Sequence, residues 1–234
     1  QVQINSRIGL SFANVLRSAL RQDPDIIMVG EMRDEETAEI GLRAAMTGHL
    51  VLSTLHTNDA VSTALRLLDM GTAGYMVASS LRAVLAQRLV RRNCPVCVEE
   101  DPLDVGKKNW IRGVLGKEAL NDVFMHGIGC THCNNTGYRG RIGVFELLVI
   151  DDAMGDALRR GESGDFANAA KNSRDYTPLT VNALEYARQG ITSLEEVIRV
   201  TGEMGEVMED EALPESESEP ESESEDDLQA PDLQ

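Results

Sequence analysis

The chain has 234 residues and a formal net charge of −17 at pH 7. Fourteen of its 39 acidic residues lie in residues 203–234, where there is no Lys or Arg. Residues 1–202 therefore hold 25 acidic and 22 basic residues, a balance of −3. The chain lacks the basic footprint of a nucleic-acid-binding protein, so we expect no nucleic-acid partner. Its length suits one large or two small domains.

Residues 203–234 contain no aromatic residue and few apolar ones. A segment of this composition cannot bury enough apolar surface to offset the entropy of ordering, so we predict that it is disordered. A solubilising tail and a docking segment for a basic partner both fit this composition. No apolar run approaches the ~20 residues of a membrane-spanning helix, and no basic-then-apolar leader is present, so we expect no direct membrane insertion.

Residues 11–92 alternate between helical and strand patterns. The pattern predicts a helix over residues 11–22 capped by Ser11, a strand at "IIMVG" and a helix at "DEETAEIGLRAAMTG". A strand at "HLVLSTL", a helix at "NDAVSTALRLLDMG" capped by Asn58 or Asp59, and a further helix from about Ser79 to Arg92 follow. Both strands are of the apolar kind found in parallel sheets that are buried on both faces. The order strand, helix, strand, helix predicts an α/β layer with a parallel sheet.

The second half of the chain changes character at residue 93. Turns and cysteines dominate residues 93–141, "IGVFELLVI" returns to strand-like composition, and residues 151–202 have the pattern of three or four short helices. We therefore predict four regions. They are an α/β core (1–92), a cysteine-bearing subdomain (93–141), a strand with a helical carboxyl-terminal region (142–202) and the acidic tail (203–234).

The four cysteines form two pairs, Cys94-Pro-Val-Cys97 and Cys130-Thr-His-Cys133. A gap of two residues lets both thiolates of a pair face one tetrahedral ion, and four sulfur ligands favour Zn²⁺. Disulfides are not expected without an export signal. A redox-active Cys-x-x-Cys pair would not require a second such pair. His126 or His132 could replace a sulfur, but the spacing favours the cysteines. Because four protein ligands close the site, we predict a zinc ion that organises the fold and does not catalyse.

The first strand, in "DPDIIMVGEMRD", ends on a glycine and Glu31. An apolar strand ending in an acid is the Walker B arrangement of nucleoside triphosphatases. There the carboxylate lies at the carboxyl edge of a parallel sheet, where it holds Mg²⁺ or orients the attacking water. A plain core strand with an acid at a loop entrance gives the same pattern.

His49 and His56 flank the next strand, in "TGHLVLSTLHTND". We predict that His56 lies on the same edge as Glu31, where it could donate to a γ-phosphate. His49 then lies at the opposite end, where it is structural or faces a neighbouring subunit. A satisfied structural role is the alternative for either histidine. Arg33 could reach phosphate or a neighbouring subunit, or simply pair with Asp34 or Glu36.

Three stretches together resemble the secretion and pilus-assembly ATPases, the hexameric motors of type II secretion and type IV pilus extension. They are "RQDPDIIMVGEMRDEETAEIGLRAAMTGHLVLSTLHTNDA", "LAQRLVRRNCPVC" and "CTHCNNTGYRGRIGVFELL". The resemblance covers residues 1 to about 202. Within the family, "QVQINSRIGLSF" and "LLDMGTAGYMVASSLRAVLAQRLVRR" look most similar to ATPases of the mannose-sensitive haemagglutinin (MSHA) pilus.

The resemblance implies a partial RecA-like P-loop NTPase core with a parallel sheet. Glu31 is then the Walker B acid, His49 and His56 belong to a histidine box, and the four cysteines form a zinc motif. The implied cofactors are ATP, Mg²⁺ and Zn²⁺. The implied assembly is a homo-hexamer that acts on an inner-membrane platform protein, in the cytoplasm and peripheral to the inner membrane. Retraction motors of the superfamily generally lack the metal motif, so its presence favours extension or secretion.

The phosphate loop G-x-x-x-x-G-K-[S/T] does not occur in this chain. Gly106-Lys107 and Gly116-Lys117 lack the earlier glycine, and Lys108 and Glu118 stand where Ser or Thr is needed. In the family, this Walker A loop and a second catalytic acid lie upstream of the residues that match Gln1. We therefore expect a carboxyl-terminal part of a motor that hydrolyses negligible ATP alone. The chief alternative is a non-catalytic zinc-bearing assembly module, and a nucleic-acid-binding zinc protein is a third.

Overall fold

The computed structural model describes residues 1–202, apart from the side chains of Ser6 and Glu118. The disorder predicted for residues 203–234 lies outside the described residues. The helices are α1 (Phe12–Ala19), α2 (Glu35–Met46), α3 (Ala60–Asp69), α4 (Gly74–Ser80), α5 (Val105–Leu115), α6 (Asp152–Arg160), α7 (Ser163–Asn172), α8 (Leu179–Arg188) and α9 (Leu194–Thr201). The strands are β1 (Ile26–Val29), β2 (Leu50–Ser53), β3 (Ala83–Asn93), β4 (Val98–Glu100), β5 (Met125–Gly127) and β6 (Tyr138–Val149). None of the helices described is long and apolar enough to cross a membrane.

The predicted strand–helix–strand–helix unit is present at β1, α2, β2 and α3. β1 and β2 pair in parallel, from Ile26 opposite Leu50 to Val29 opposite Ser53. Between them α2 begins at Asp34, whose carboxylate accepts from the Thr37 backbone N–H. This side-chain acceptor satisfies one of the donors that every helix leaves unpaired at its start. The parallel pair and its crossover helix are therefore confirmed.

The expectation that both faces of these strands are buried is wrong for the described chain. Ile27 and Val29 are buried against α1 and α2, but Ile26 is 62% exposed and Met28 is 75% exposed. Alternate residues of a strand point to opposite faces, so one face of the pair is covered by helices. The other face has no covering element within residues 1–202, which is why its apolar side chains are in solvent.

The helix predicted from about Ser79 to Arg92 is also wrong. α4 ends at Ser80, and residues 83–93 form β3, which pairs antiparallel with β6. The burial of β3 alternates: Val84 and Val90 are buried, whereas Leu85 and Leu89 are exposed. Leu, Ala, Gln and Arg are good helix formers, but pairing with a long partner strand overrides such intrinsic preferences.

The β3–β6 ribbon runs between two hydrophobic cores. At one end Val84 and Leu148 join the core formed with α3, α4, α6 and α7. Further along, Val90 and Val144 join the core formed with α5, α8 and α9. The four helices after β6 confirm the prediction of three or four short helices in residues 151–202.

The last helix is attached to this ribbon through a buried carboxylate. Glu196 accepts hydrogen bonds from the backbone N–H and the guanidinium of Arg91, and from the guanidinium of Arg199. Burial raises the pKa of Glu196, but the hydrogen bonds from Arg199 and Arg91 outweigh it and lower the pKa to about 2. Arg91 also lies over the Tyr138 ring, 4.0 Å from its centroid. The ion pair therefore joins α9 to both strands of the ribbon.

Replacement of this carboxylate tests its contribution to stability. We expect Glu196→Gln to lower the free energy of unfolding at pH 7 by on the order of 2 kcal/mol. This is less than for a fully buried pair, because both arginines keep part of their hydration. The folded-state pKa lies below the unfolded value, so this stability is present above about pH 4.5 and is lost as pH falls towards 2. Urea unfolding of both proteins at pH 7 and at pH 3.5 measures the difference.

The matched control is Glu195→Gln, which changes the neighbouring exposed acid of the same helical turn. It should change the free energy of unfolding by less than about 0.5 kcal/mol. Equal effects of the two substitutions, or a wild-type advantage that grows at low pH, would contradict the assignment.

Candidate functional site

The candidate site begins where β1 and β2 end. Beyond the strands, Met32 donates its backbone N–H to the Thr54 carbonyl at 3.1 Å. The Thr54 hydroxyl donates to the Gly30 carbonyl at 2.7 Å. These bonds extend the parallel pairing past the last ladder residues. They hold residues 30–32 beside residues 54–56 at the carboxyl edge of the pair.

Glu31 contacts both a guanidinium and an imidazole on this edge. Its Oε2 lies 2.6 Å from Arg33 Nε and 3.3 Å from His56 Nε2. The Arg33 guanidinium lowers the pKa of the Glu31 carboxyl, and His56 adds to this effect. The Glu31 side chain is 20% exposed, and that of His56 is 84% exposed. The structure thus places an ionised, partly shielded carboxylate beside an open imidazole, as predicted for this pair.

The two other partners suggested for Arg33 are engaged elsewhere. Asp34 caps α2, and Glu36 forms an ion pair with Arg17 at 2.6 Å. Arg33 contacts Glu31 instead, so the suggestion that it pairs with Asp34 or Glu36 is wrong. Its side chain is 70% exposed, which leaves the guanidinium free to exchange Glu31 for another anion.

His49 lies at the opposite edge, as predicted. It precedes β2, whereas Glu31 follows β1, and the two strands run in parallel. Its Nδ1 lies 3.0 Å from the Ala44 carbonyl and 3.2 Å from the Thr47 hydroxyl, both at the carboxyl end of α2. These contacts fit a structural role for His49. A contact between His49 and a neighbouring subunit stays a prediction.

Arg88 belongs to the site although the sequence did not single it out. From β3 its guanidinium donates to the Thr57 carbonyl at 3.0 Å and to Asn58 Oδ1 at 2.9 Å. It therefore fixes the loop that directly follows His56. The sequence analysis did not identify Arg88 because it predicted a helix over these residues. The alternation of Val84, Ala86, Arg88 and Val90 on one side of a strand was the signal that could have found it.

Glu146 fixes the other end of the same loop. It is buried on β6 and accepts from the Ala60 backbone N–H at the start of α3. It also accepts from the Leu179 backbone N–H at the start of α8 at 2.6 Å, and from the Tyr176 hydroxyl at 3.1 Å. One carboxylate thus joins two helix starts, where the helix dipole favours a negative charge.

The edge is suited to hold a hydrated cation. Mg²⁺ keeps several waters and is bound through one or two carboxylates together with substrate phosphates. Glu31 supplies one ionised carboxylate with open space beside it, so the residues present fit this ion. For the phosphates themselves the chain has no Gly-rich loop of the Walker A type.

The four cysteines form a candidate metal centre. Their Sγ atoms all lie within 4.8 Å of one another. The Sγ–Sγ separations are 3.9 Å between Cys94 and Cys130, 3.8 Å between Cys97 and Cys133, and 3.8 Å between Cys130 and Cys133. A tetrahedral ion with Zn–S bonds of about 2.3 Å requires S···S edges of about 3.8 Å, whereas a disulfide requires about 2.05 Å. The sulfur positions therefore match a zinc site and exclude disulfides.

Backbone amides support these sulfurs. The N–H groups of Cys130 and Gly137 donate to Cys133 Sγ at 3.2 and 3.3 Å. Burial raises the pKa of the Cys133 thiol, but these donors outweigh it and lower the pKa to about 6. A thiolate with backbone donors is the usual environment of a metal ligand. Neither His126 nor His132 belongs to the converging group, so among residues 1–202 the cysteines are the fitting ligand set.

The sequence matches the family model for the "Type II/IV secretion system protein" over residues 1–199. The chain belongs to this family.

Relatives in the family include proteins of both secretion and pilus systems. The type II secretion system ATPase E of Vibrio cholerae is 49% identical over 204 residues, which are 87% of this chain and 40% of that protein. The type IV pilus assembly ATPase PilB of Myxococcus xanthus is 45% identical over 199 residues, 85% of this chain and 35% of that protein. The chain thus spans about two fifths of the length of these relatives.

A solved structure shares the architecture. The pilus retraction motor PilT with bound ADP superposes with a TM-score of 0.55 and 28% identity, covering 81% of this chain and 43% of that one. The described chain therefore shares its α/β fold with a pilus retraction motor. In this member, a tetracysteine cluster that could bind zinc accompanies that fold.

Removal of the metal tests the centre. We expect about one zinc per purified chain by elemental analysis. Strong chelation should accelerate amide exchange in residues 93–100 and 125–141 before the parallel pair is affected, because metal binding there is coupled to folding. Re-addition of Zn²⁺ should restore the protection. Unchanged protection in a sample shown to be free of metal would refute the zinc assignment.

A substitution of Arg88 tests the loop. We expect Arg88→Gln to increase amide exchange in residues 57–61 by about tenfold, because hydrogen bonds from a charged donor are lost. Arg92→Gln, which changes an exposed arginine of the same strand, is the control and should leave this loop unchanged. Equal exchange in the two variants would show that Arg88 does not hold the loop.

Proposed function

We propose that the chain carries the Walker B edge and the zinc centre of an ATP-hydrolysing motor of type IV pilus extension or type II secretion. The ionised Glu31 carries this proposal: it lies beside His56 at the carboxyl edge of a parallel pair, in a family whose named relatives are ATPases. Ligands of open α/β sheets bind at that edge.

Each residue of the edge has a proposed role in ATP hydrolysis. Glu31 would bind Mg²⁺ directly or through water, or orient the attacking water. His56 would donate to the γ-phosphate and respond to its loss. Arg33 would move from Glu31 to a phosphate oxygen or to a neighbouring subunit. The Mg²⁺ supplies charge neutralisation of the phosphates when it is bound.

Under this proposal the phosphate loop comes from outside these 234 residues. The relatives are more than twice as long as the matched segment, so we propose that the Walker A loop and the second acid lie in the part that the chain does not span. The intact motor would then assemble as a homo-hexamer in the cytoplasm, against an inner-membrane platform protein.

The tetracysteine cluster favours extension or secretion over retraction in this proposal, because retraction motors generally lack it. The resemblance of residues 67–92 and 1–12 to ATPases of the MSHA pilus makes an MSHA-like pilus the proposed system. A non-catalytic zinc-bearing assembly module is disfavoured, since the relatives with matching sequence are named as ATPases.

Hydrolysis by the intact motor tests the role of Glu31. We expect the 234-residue chain alone to show no Mg²⁺-dependent phosphate release above background. In the intact protein, Glu31→Gln should lower kcat by about 100-fold or more and leave ATP binding nearly unchanged. The control Glu39→Gln alters an acid of α2 that pairs with Arg43 at 2.5 Å, and it should retain wild-type turnover.

Mg²⁺-dependent turnover by the pure 234-residue chain that Glu31→Gln abolishes would show that no further loop is needed. An intact Glu31→Gln motor with wild-type kcat would remove Glu31 from the mechanism.

A further inference from the structure

The face of the β3–β6 ribbon that meets the helices is apolar at both ends and polar in the middle. Val84 and Leu148 enter one core from this face, and Val90 and Val144 enter the other. Glu146 lies between Val144 and Leu148 along β6 and is 2% exposed. Burial of a carboxylate is costly, and a well-packed apolar side chain is often at least as stable in its place. The carboxylate therefore indicates a role other than packing.

The two oxygens of Glu146 have separate partners. Oε1 accepts from the backbone N–H of Ala60, the first residue of α3. Oε2 accepts from the backbone N–H of Leu179, the first residue of α8, at 2.6 Å, and from the Tyr176 hydroxyl at 3.1 Å. Both N–H groups are among those that a helix leaves unpaired at its start. Each oxygen thus holds one helix start, and the two helices lie far apart in the sequence.

The first of these helices is preceded by the loop that carries His56. The His56 side chain is 84% exposed, so little packing fixes the imidazole. Its position depends instead on the backbone that follows. Arg88 holds the Thr57 carbonyl at 3.0 Å, and the Thr57 hydroxyl lies 2.5 Å from that of Thr63 in α3. Because Glu146 holds the start of α3, it helps to fix where His56 lies.

The second of these helices belongs to the carboxyl-terminal core. Ala183 and Leu184 of α8 are buried in this core, which they share with Leu194 and Val197 of α9. Both oxygens of Glu146 belong to one rigid group, so they move together. A displacement of α8 relative to α3 must therefore break one of the hydrogen bonds or move the loop of His56.

We propose that Glu146 is a positioning residue for His56 and couples the His56 loop to α8. Its Oε1 fixes the loop through the start of α3, and its Oε2 makes that position depend on α8. During turnover, the response of His56 to loss of the γ-phosphate would pass through Glu146 to the carboxyl-terminal helices. The role in turnover rests on the proposed function, whereas the coupling of the two helix starts does not.

Hydrogen exchange on the full 234-residue chain tests the coupling. Glu146→Gln keeps the size of the side chain, but an amide offers one acceptor oxygen in place of two and carries no charge. We expect amide exchange in residues 57–61 and 179–182 to rise together by about tenfold. The control Glu185→Gln changes an exposed acid of α8 and should leave both segments unchanged. A rise confined to one segment, or no rise in either, would overturn the coupling.

A second variant perturbs Glu146 from the α8 side. Tyr176→Phe removes one donor to Oε2 and keeps the aromatic ring. It should raise amide exchange in residues 57–61 by about threefold, because the carboxylate that holds them is less firmly fixed. Tyr186→Phe, within α8, is the control and should have no such effect. Wild-type exchange in residues 57–61 of the Tyr176→Phe chain would contradict the coupling, also where Glu146→Gln does not fold.

A double-mutant cycle in the intact motor tests the positioning role. We expect Glu146→Gln to lower kcat about tenfold in the wild-type background, and by less than about twofold in a His56→Ala background, because it acts through His56. A loss that is merely structural would lower kcat by the same factor in both backgrounds, and that result would overturn the positioning role. Glu185→Gln should retain wild-type kcat.

The same cycle separates this inference from the proposed function. If His56→Ala alone leaves kcat at the wild-type value, His56 has no part in the mechanism, and the role of Glu146 in turnover falls with it. The exchange measurements on the 234-residue chain would then still decide whether Glu146 couples the two helix starts.

Discussion

The antiparallel pairing of β3 with β6 supports most of the described chain. Val84 and Leu148 reach one core from this ribbon, and Val90 and Val144 reach the other. Polar side chains of the ribbon also hold neighbouring segments in place. Arg88 and Glu146 hold the loop between His56 and α3, and Arg91 holds α9. Cys94 follows β3 directly, so the metal centre starts where the ribbon ends. A disturbance of this pairing would therefore reach the carboxylate edge, the zinc ligands and the last helix together.

The contact between Glu31 and Arg33 keeps the Glu31 carboxylate paired and still leaves it able to bind another partner. The guanidinium keeps the carboxylate ionised, but its own side chain is largely in water, where an ion pair contributes little. Loss of the contact with Arg33 would therefore cost little free energy. Glu196 shows the contrast, because its carboxylate is fully buried and held by two arginines. Glu31 can thus change its partner at low cost, whereas Glu196 holds α9 against the ribbon.

Local signals made much of the fold predictable. Ser11, Asp34 and Asp59 cap helices where the sequence placed the helix starts, and the cysteine spacing anticipated the sulfur cluster. β3 was missed because its partner β6 lies about 50 residues further on, and helix propensity in "VLAQRLVRR" outweighed a weak alternation. Arg88 and Glu146 were missed for the same reason, since their roles depend on that non-local pairing.

The open surroundings of the carboxylate edge indicate what its chemistry still requires. His56 is 84% exposed, and the apolar face of the parallel pair has no cover within residues 1–202. Electrostatic stabilisation of a transition state is strong only where water is excluded, because the dielectric of bulk solvent weakens every charge–charge interaction. An edge this open does not exclude water, so its charges would interact only weakly with a phosphate. In the proposed motor, surface from outside residues 1–202 would close this edge, and cover on the exposed face of the pair would bury Ile26 and Met28.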